Sequence, residues 1–185
     1  MVKERKSSTA KTIDEGTHHV SLKTGDCIVD SRSCQYINQK NASLKNCKHY
    51  ASRQSSNIIV YFGEESKWNI EALEAGIDRK NFRLLLISPR INLKTIHPIL
   101  REANICFVDA DCMDEVEDTV SFCLGIRNFE PNVKIVIVSS EVRGHDLTAE
   151  RAAICDATLK SPLSAYAVSE GIRAANINSQ RRTQV

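Results

Sequence analysis

Polar side chains that could hold a phosphoryl group follow several short apolar runs of the sequence. They are the carboxylates of Glu64, Glu65, Asp109 and Asp111, the hydroxyl of Ser139 and the ammonium of Lys160. Clustered carboxylates repel one another and bind a hard divalent cation such as Mg2+, which neutralises charge on phosphoryl oxygens. A carboxylate can also attack phosphorus and form an acyl phosphate, while a hydroxyl and an ammonium hold the remaining oxygens. If the fold brings these residues together, they favour phosphoryl transfer to a carboxylate.

The apolar runs before these residues are typical of strands that are buried on both faces. They cover residues 58–62, 84–87, 105–108, 133–138 and 157–159. Most of them are rich in β-branched types, which is the pattern of a parallel sheet covered by helices on both sides.

Segments with helical spacing lie after these runs. They cover residues 68–77, 93–100, 116–124, 147–157 and 163–177. The predicted apolar stripes include Leu93, Ile96, Ile99 and Leu100 in the second segment, and Val116, Val120, Cys123 and Leu124 in the third. Five β–α repeats predict an α/β fold with parallel strands, right-handed crossovers and helices on both faces. Because ligands bind at the carboxyl ends of such strands, the polar residues are predicted to share one edge.

The composition of the chain changes near residue 57. Residues 1–56 carry ten Lys or Arg and five Asp or Glu, a net charge of +5, and the remaining residues sum to −3, which gives the total of +2. The first 56 residues also lack a sustained apolar period, so they bury too little surface to offset the entropy of ordering. We predict a basic, disordered or weakly ordered extension over 1–56, a domain over 57–177 and a flexible tail over 178–185.

Several classes of protein are disfavoured by this sequence of 185 residues. Its apolar runs are far shorter than the about 20 residues that a membrane span needs, and its polar start lacks the apolar core of a signal peptide. The seven cysteines form no C-x-x-C pair, which indicates reduced thiols and predicts a cytoplasmic protein. The 5% aromatic content and the thinly spread basic charge predict no direct nucleic-acid binding.

The spacing of the polar residues resembles that of the receiver domain of bacterial two-component response regulators. Glu65 and Asp109 are 44 positions apart, Asp109 and Ser139 are 30 apart, and Asp109 and Lys160 are 51 apart. These separations are close to those of the family, and the resemblance covers about residues 57–177. It implies a flavodoxin-like (βα)5 three-layer sandwich with a five-stranded parallel sheet of order 2-1-3-4-5.

The resemblance also implies roles for these residues. Asp109 would accept a phosphoryl group from a histidine kinase or a phosphotransfer protein, and Lys160 and Ser139 would bind the phosphoryl oxygens. Mg2+ would be held by Glu64, Glu65, Asp109 and the backbone carbonyl of Asp111. The expected function is that of a single-domain response regulator, a phosphoprotein that signals by contact with a downstream protein. It would catalyse only its own phosphotransfer and dephosphorylation, so it would not be an enzyme in the usual sense.

Some positions depart from the family pattern. The acidic pair is Glu-Glu where Asp is common, Ser161 intervenes between the lysine and Pro162, Met113 replaces the usual proline, and Ala157 stands at the aromatic switch position. Two alternatives stay open: a phosphorylation-independent pseudo-receiver, and the receiver part of a DNA-binding regulator that lacks its output domain. A flavodoxin-like enzyme or flavin binder would need a phosphate-cradling loop, and Gly63 is the only glycine near the first apolar run.

Overall fold

One β-sheet with helices on its two faces is present in the computed structural model, which describes residues 28–29, 34–37, 57–64, 67–77 and 82–182. The strands are β1 (Ile28–Val29), β2 (Cys34–Ile37), β3 (Asn57–Phe62), β4 (Phe82–Ile87), β5 (Ala103–Asp109), β6 (Lys134–Ser139) and β7 (Ala157–Lys160). The helices are α1 (Lys67–Gly76), α2 (Leu93–Glu102), α3 (Val116–Phe129) and α4 (Ala165–Arg182), with a short 3-10 helix at Ala110–Cys112.

The sheet has the strand order β1-β2-β4-β3-β5-β6-β7. Strands β3 to β7 are all parallel, and numbered from β3 they have the order 2-1-3-4-5. This order is that of flavodoxin-like folds, so the predicted fold class is confirmed for these five strands.

Two clusters of apolar side chains form the core, one on each face of the sheet. Successive residues of a strand point to opposite faces, so Ile59 and Tyr61 of β3 lie in one cluster while Val60 and Phe62 lie in the other. Helices α1 and α4 contribute Leu73 and Val168, among others, to the first cluster; α2 and α3 contribute Ile96, Ile99, Cys123 and Ile126 to the second. The structure therefore has the three layers predicted from the doubly buried runs.

The two predicted helical stripes have different outcomes. In α2 the residues Ile96, Ile99 and Leu100 are buried, as the spacing predicts, and the side chain of Asn92 caps the helix by accepting from the Lys94 amide at 3.0 Å. In α3 the prediction is partly wrong, because Val116 is 73% exposed. The buried side of α3 instead includes Thr119, Cys123, Ile126 and Arg127.

Regular elements extend beyond both predicted ends of the domain. Strands β1 and β2 lie within residues 1–56, the segment predicted to be disordered or weakly ordered, and β2 pairs in parallel with β4. The other residues of 1–56 lie outside the described part of the chain. Helix α4 continues through Arg182, past the predicted end at residue 177, because Asn178 and Ser179 are buried on its inner side.

The helix predicted over 147–157 is not formed, and residues 140–156 contain turns, bends and an isolated bridge. Asp146 forms an antiparallel bridge with Thr158 of β7, and the Asn178 amide donates to the carbonyls of Leu147 and Thr148 at 3.0 and 3.1 Å. The Asp146 carboxylate accepts from the Thr148 amide at 3.0 Å, which holds a local turn. These bonds pair backbone groups of the segment without a helix. The bridge from Asp146 to Thr158 covers the outer edge of β7.

A buried ionic network fixes the opposite end of the same segment. Asp156 is fully buried, and its carboxylate accepts from Arg127 at 2.8 Å, from Arg182 at 3.0 Å and from the Ile135 amide at 2.8 Å. Arg127 and Arg182 lie near the carboxyl ends of α3 and α4, where the helix dipoles favour positive charge. Asp156 thus joins both helix ends to the amino end of β6.

No helix within the described residues has both the length and the apolarity to cross a membrane.

We predict that Asp156→Ala is strongly destabilising, because it leaves Arg127 and Arg182 without their carboxylate partner. Removing one member of a buried ion pair costs about 3–5 kcal/mol. The free energy of unfolding from urea titration measures this loss. Asp114→Ala is the matched control, since the Asp114 side chain is 86% exposed and lies 4.0 Å from Arg90, and such surface pairs contribute little. An equal loss in the two variants would contradict the role given to Asp156.

Candidate functional site

The carboxyl ends of three parallel strands bring Asp109, Ser139 and Lys160 to one edge of the sheet. Asp109 is the last residue of β5, Ser139 of β6 and Lys160 of β7. Ser139 and Lys160 are partners in the register of β6 and β7, and Asp109 is the partner of Val138. Asp109 is only 3% exposed, and Ser139 is also buried.

A tyrosine that the sequence analysis did not single out is bound to Asp109. The Tyr61 hydroxyl donates a short hydrogen bond to Oδ2 of Asp109. The Asn69 amide lies 3.4 Å from the same hydroxyl, and its carbonyl oxygen accepts from the Leu163 amide at 3.1 Å. All these groups are buried, so one polar chain links β3, β5, α1 and the loop before α4.

Gly63 lies between Tyr61 and Asp109, where an added side chain would not fit. A Cβ atom on Gly63 would lie 2.5 Å from Cε1 of Tyr61 and 2.9 Å from Cβ of Asp109. The position beside Asp109 at the end of β3 is therefore filled by the tyrosine ring and not by a carboxylate.

Of the predicted acidic pair, Glu64 lies in the described part of the chain and Glu65 lies outside it. Glu64 is exposed, and its backbone amide donates to Sγ of Cys112 at 3.2 Å. Lys160 is exposed, and its backbone amide donates to Nδ1 of His145 at 3.0 Å.

Asp111 is bound to the loop that follows β6. Its carboxylate accepts from the Ser140 amide at 2.9 and 3.0 Å and from the Ser139 hydroxyl at 3.3 Å. Its own amide donates to Oδ1 of Asp109 at 3.1 Å. Both oxygens of Asp109 therefore accept a hydrogen bond within the protein.

Burial controls the ionisation of the groups in this site. Burial raises the pKa of Asp109 above its usual range, and the negative charge of Asp111 adds to the rise, while the Tyr61 hydrogen bond opposes it. Burial also raises the pKa of Tyr61, and the charge of Asp109 raises it further, so the phenol stays protonated and donates. The pKa of Cys112 is raised to about 11, mainly by burial, so its thiol is protonated at neutral pH.

The described side chains do not fit the Mg2+ ion that the family resemblance implies. Mg2+ requires near-octahedral oxygen ligands, including free carboxylate oxygens. Here the two Asp109 oxygens accept hydrogen bonds from the Tyr61 hydroxyl and the Asp111 amide. Among the described residues no group of three or more His, Cys, Asp or Glu side chains could hold a metal ion.

Tyr61 and Asn69 are the functional residues that the sequence reasoning missed. Tyr61 lies inside an apolar run and was counted as a core residue, and its ring is indeed fully buried. A signal was present, since a buried tyrosine hydroxyl needs a hydrogen-bond partner and Tyr61 precedes the end of the strand by one residue. The sequence could not show that its partner would be Asp109.

No family model and no curated protein matches the sequence. Among solved structures, a receiver domain protein from Methanospirillum hungatei is 12% identical with a TM-score of 0.47, covering 69% of this chain and 98% of that one. A response regulator from Thermotoga maritima is 15% identical with a TM-score of 0.49, covering 65% and 98%. A pilus assembly-related protein from Burkholderia pseudomallei is 16% identical with a TM-score of 0.48, covering 66% and 90%.

The strand order and the helices on both faces define the class of this protein as flavodoxin-like. Receiver domains are among the solved structures to which the chain is similar.

We predict that Asp109→Asn changes the pH dependence of stability. Because the pKa of Asp109 is raised in the folded state, that state binds the proton more tightly than the unfolded chain does. The wild type should therefore lose free energy of unfolding, relative to Asp109→Asn, as pH rises from about 4 through the raised pKa. Urea titrations that start at about pH 4, near the ordinary pKa of an aspartic acid, and extend to about pH 8 measure the difference.

The control for this experiment is Ser169→Ala. Ser169 is exposed and its replacement changes no ionisable group, so the free energy of unfolding should depend on pH as it does in the wild type. A constant difference between wild type and Asp109→Asn at every pH would show that Asp109 titrates alike in the folded and unfolded states.

We also predict that Gly63→Ala destabilises the protein by about 1–3 kcal/mol, the usual cost of overpacking a filled site. The added methyl group must displace the Tyr61 ring or Asp109, and it should also weaken the hydrogen bond between them. Gly144→Ala is the matched control, because a Cβ at Gly144 meets no atom within 4 Å. Thermal or urea unfolding compares the two variants, and equal stabilities would refute the close approach at Gly63.

Proposed function

We propose that this protein is a receiver-like interaction module that binds a partner protein without being phosphorylated. The observation that carries the proposal is the buried hydrogen bond from the Tyr61 hydroxyl to the Asp109 carboxylate. The module would convert no external substrate, so we do not propose an enzymatic activity for it. We place it in the cytoplasm, in keeping with the free cysteines Cys106, Cys112, Cys123 and Cys155.

Three properties of Asp109 oppose its use as a nucleophile. A carboxylate attacks phosphorus with a free, ionised oxygen, but both oxygens of Asp109 accept hydrogen bonds. Its burial raises its pKa, because the ionised form is less well solvated there than in water. An incoming phosphoryl group would have to displace Tyr61, whose fully buried ring is fixed beside Gly63.

The surroundings of Asp109 also offer little positive charge to an incoming phosphoryl group. Among the expected Mg2+ ligands that the structure describes, Glu64 is exposed and both Asp109 oxygens accept hydrogen bonds; the side chain of Lys160 is exposed as well. Phosphoryl transfer depends on neutralising the charge of the phosphoryl oxygens, so this arrangement favours a constitutive module.

A second candidate is the phosphorylated single-domain response regulator that the sequence favours, with Mg2+ as its cofactor. The common placement of Asp109, Ser139 and Lys160 at one sheet edge supports it. In the transfer, an Asp109 oxygen would bond to the phosphorus of a phosphohistidine on a kinase or phosphotransfer protein. The phosphorus–nitrogen bond would break, and the imidazole nitrogen would keep the electron pair. Tyr61 would have to release Asp109 first.

A phosphodonor experiment separates the two candidates. The full chain, Asp109→Asn and Tyr61→Phe are incubated with acetyl phosphate and Mg2+, and each intact mass is measured. We expect no gain of a phosphoryl group in the wild type, because Tyr61 occupies the Asp109 oxygen. A receiver domain known to accept the same donor serves as the positive control.

A phosphoryl gain in the wild type that is lost in Asp109→Asn would overturn the proposed function and establish the second candidate. A gain in Tyr61→Phe alone would support the proposal, since it would show that the hydroxyl blocks an otherwise competent carboxylate. Partner capture gives a further readout, because a constitutive module should retain the same partner in the wild type and in Asp109→Asn.

A further inference from the structure

The loop after β6 presents hydrogen-bond donors that suit an oxyanion. The Ser139 hydroxyl and the Ser140 amide point to the same carboxylate, at 3.3 Å and at 2.9 to 3.0 Å. Lys160, the register partner of Ser139 on β7, is exposed and adds a positive charge at the same edge. A hydroxyl, a backbone amide and a nearby ammonium are typical donors for phosphate oxygens.

The carboxylate that these donors bind belongs to the protein itself. Asp111 follows Asp109 by two residues and lies in the 3-10 helix Ala110–Cys112, whose start is capped by the Asp109 side chain. This short connection fixes the Asp111 carboxylate near the loop after β6. A group tethered in this way acts at a high effective concentration, so it competes well with a free anion.

We propose that the Asp111 carboxylate is an internal ligand that occupies the oxyanion donors of Ser139 and Ser140 in place of an external anion. This inference rests on the proposed function, because it explains how the loop after β6 is held in place without a phosphoryl group. The contact joins the end of β5 to the loop after β6 through the Ser140 amide, at the start of segment 140–156, in which the helix predicted over 147–157 is not formed. Asp111 thereby keeps one conformation of this loop whether or not Asp109 reacts.

The contact is at the surface, which makes the internal ligand exchangeable. Asp111 and Ser140 are both exposed, although Ser139 is buried beneath them. Water and dissolved anions therefore reach the Ser140 amide once the carboxylate is removed. The test uses this access, with inorganic phosphate as the probe.

The experiment is a phosphate titration of the 15N-labelled full chain at constant ionic strength, with the Ser140 amide signal as the readout. In Asp111→Ala and Asp111→Asn we expect the Ser140 signal to shift until it saturates. Phosphate should bind these variants about tenfold more tightly than the wild type, because the charged Asp111 carboxylate no longer competes for the Ser140 amide. Adding Ser139→Ala to Asp111→Ala should weaken the binding again. Glu117→Ala, which removes an exposed carboxylate from α3, should behave as the wild type does.

An equal response of Ser140 in the wild type and in the Asp111 variants, or no response in any of them, would overturn the proposal. Asp111→Asn keeps the size of the side chain, so a folding defect in Asp111→Ala alone does not obscure the result. The two proposals fail in different ways. Phosphorylation of wild-type Asp109 would refute the proposed function, whereas an unresponsive Ser140 amide would refute the internal ligand even in a protein that is never phosphorylated.

Discussion

The buried hydrogen bond between the Tyr61 hydroxyl and the Asp109 carboxylate determines the arrangement of the whole site. It places the Tyr61 ring at the end of β3, beside Gly63. Position 63 must therefore be a glycine, because a Cβ atom there would clash with the ring. It also keeps Asp109 buried, so desolvation raises the pKa of its carboxyl group. Through Asn69 the same bond reaches the Leu163 amide, so α1 and the loop before α4 depend on it as well.

The two ends of the sheet are stabilised by different polar networks, and residues 140–156 run between them. At the carboxyl end, Asp111 holds the start of this segment through the Ser140 amide. At the amino end, the buried Asp156 joins Arg127 and Arg182, and the Asn178 amide donates to the Asp156 carbonyl at 2.7 Å. Together these networks hold both ends of a segment that forms turns and bends and not a helix. A partner that contacts this side of the protein meets a turn-rich surface and not a helix.

The strands could be predicted because each buried run carries its own signal. A near-continuous apolar run such as Val133 to Val138, interrupted by Lys134 alone, favours a strand buried on both faces, and β6 (Lys134–Ser139) forms there. Helical spacing was a weaker guide. The spacing of Leu147 to Ala157 favoured a helix, but the bridge between Asp146 and Thr158 and the Asn178 bonds satisfy that backbone instead. Partners that are so distant along the chain cannot be predicted from a local sequence pattern.

The sequence by itself determined the parallel α/β architecture and the placement of Asp109, Ser139 and Lys160 at one edge, because strand ends follow from hydrophobic runs. Only the tertiary structure decided which side chains meet at that edge. Tyr61 reaches Asp109 across neighbouring strands, and Asp111 turns to Ser140 and not toward a cation. Spacing along the chain fixes where each strand ends, but the direction of a side chain depends on the packing around it. That packing, and not the spacing, gives the Asp109 oxygens their hydrogen-bond partners in Tyr61 and the Asp111 amide.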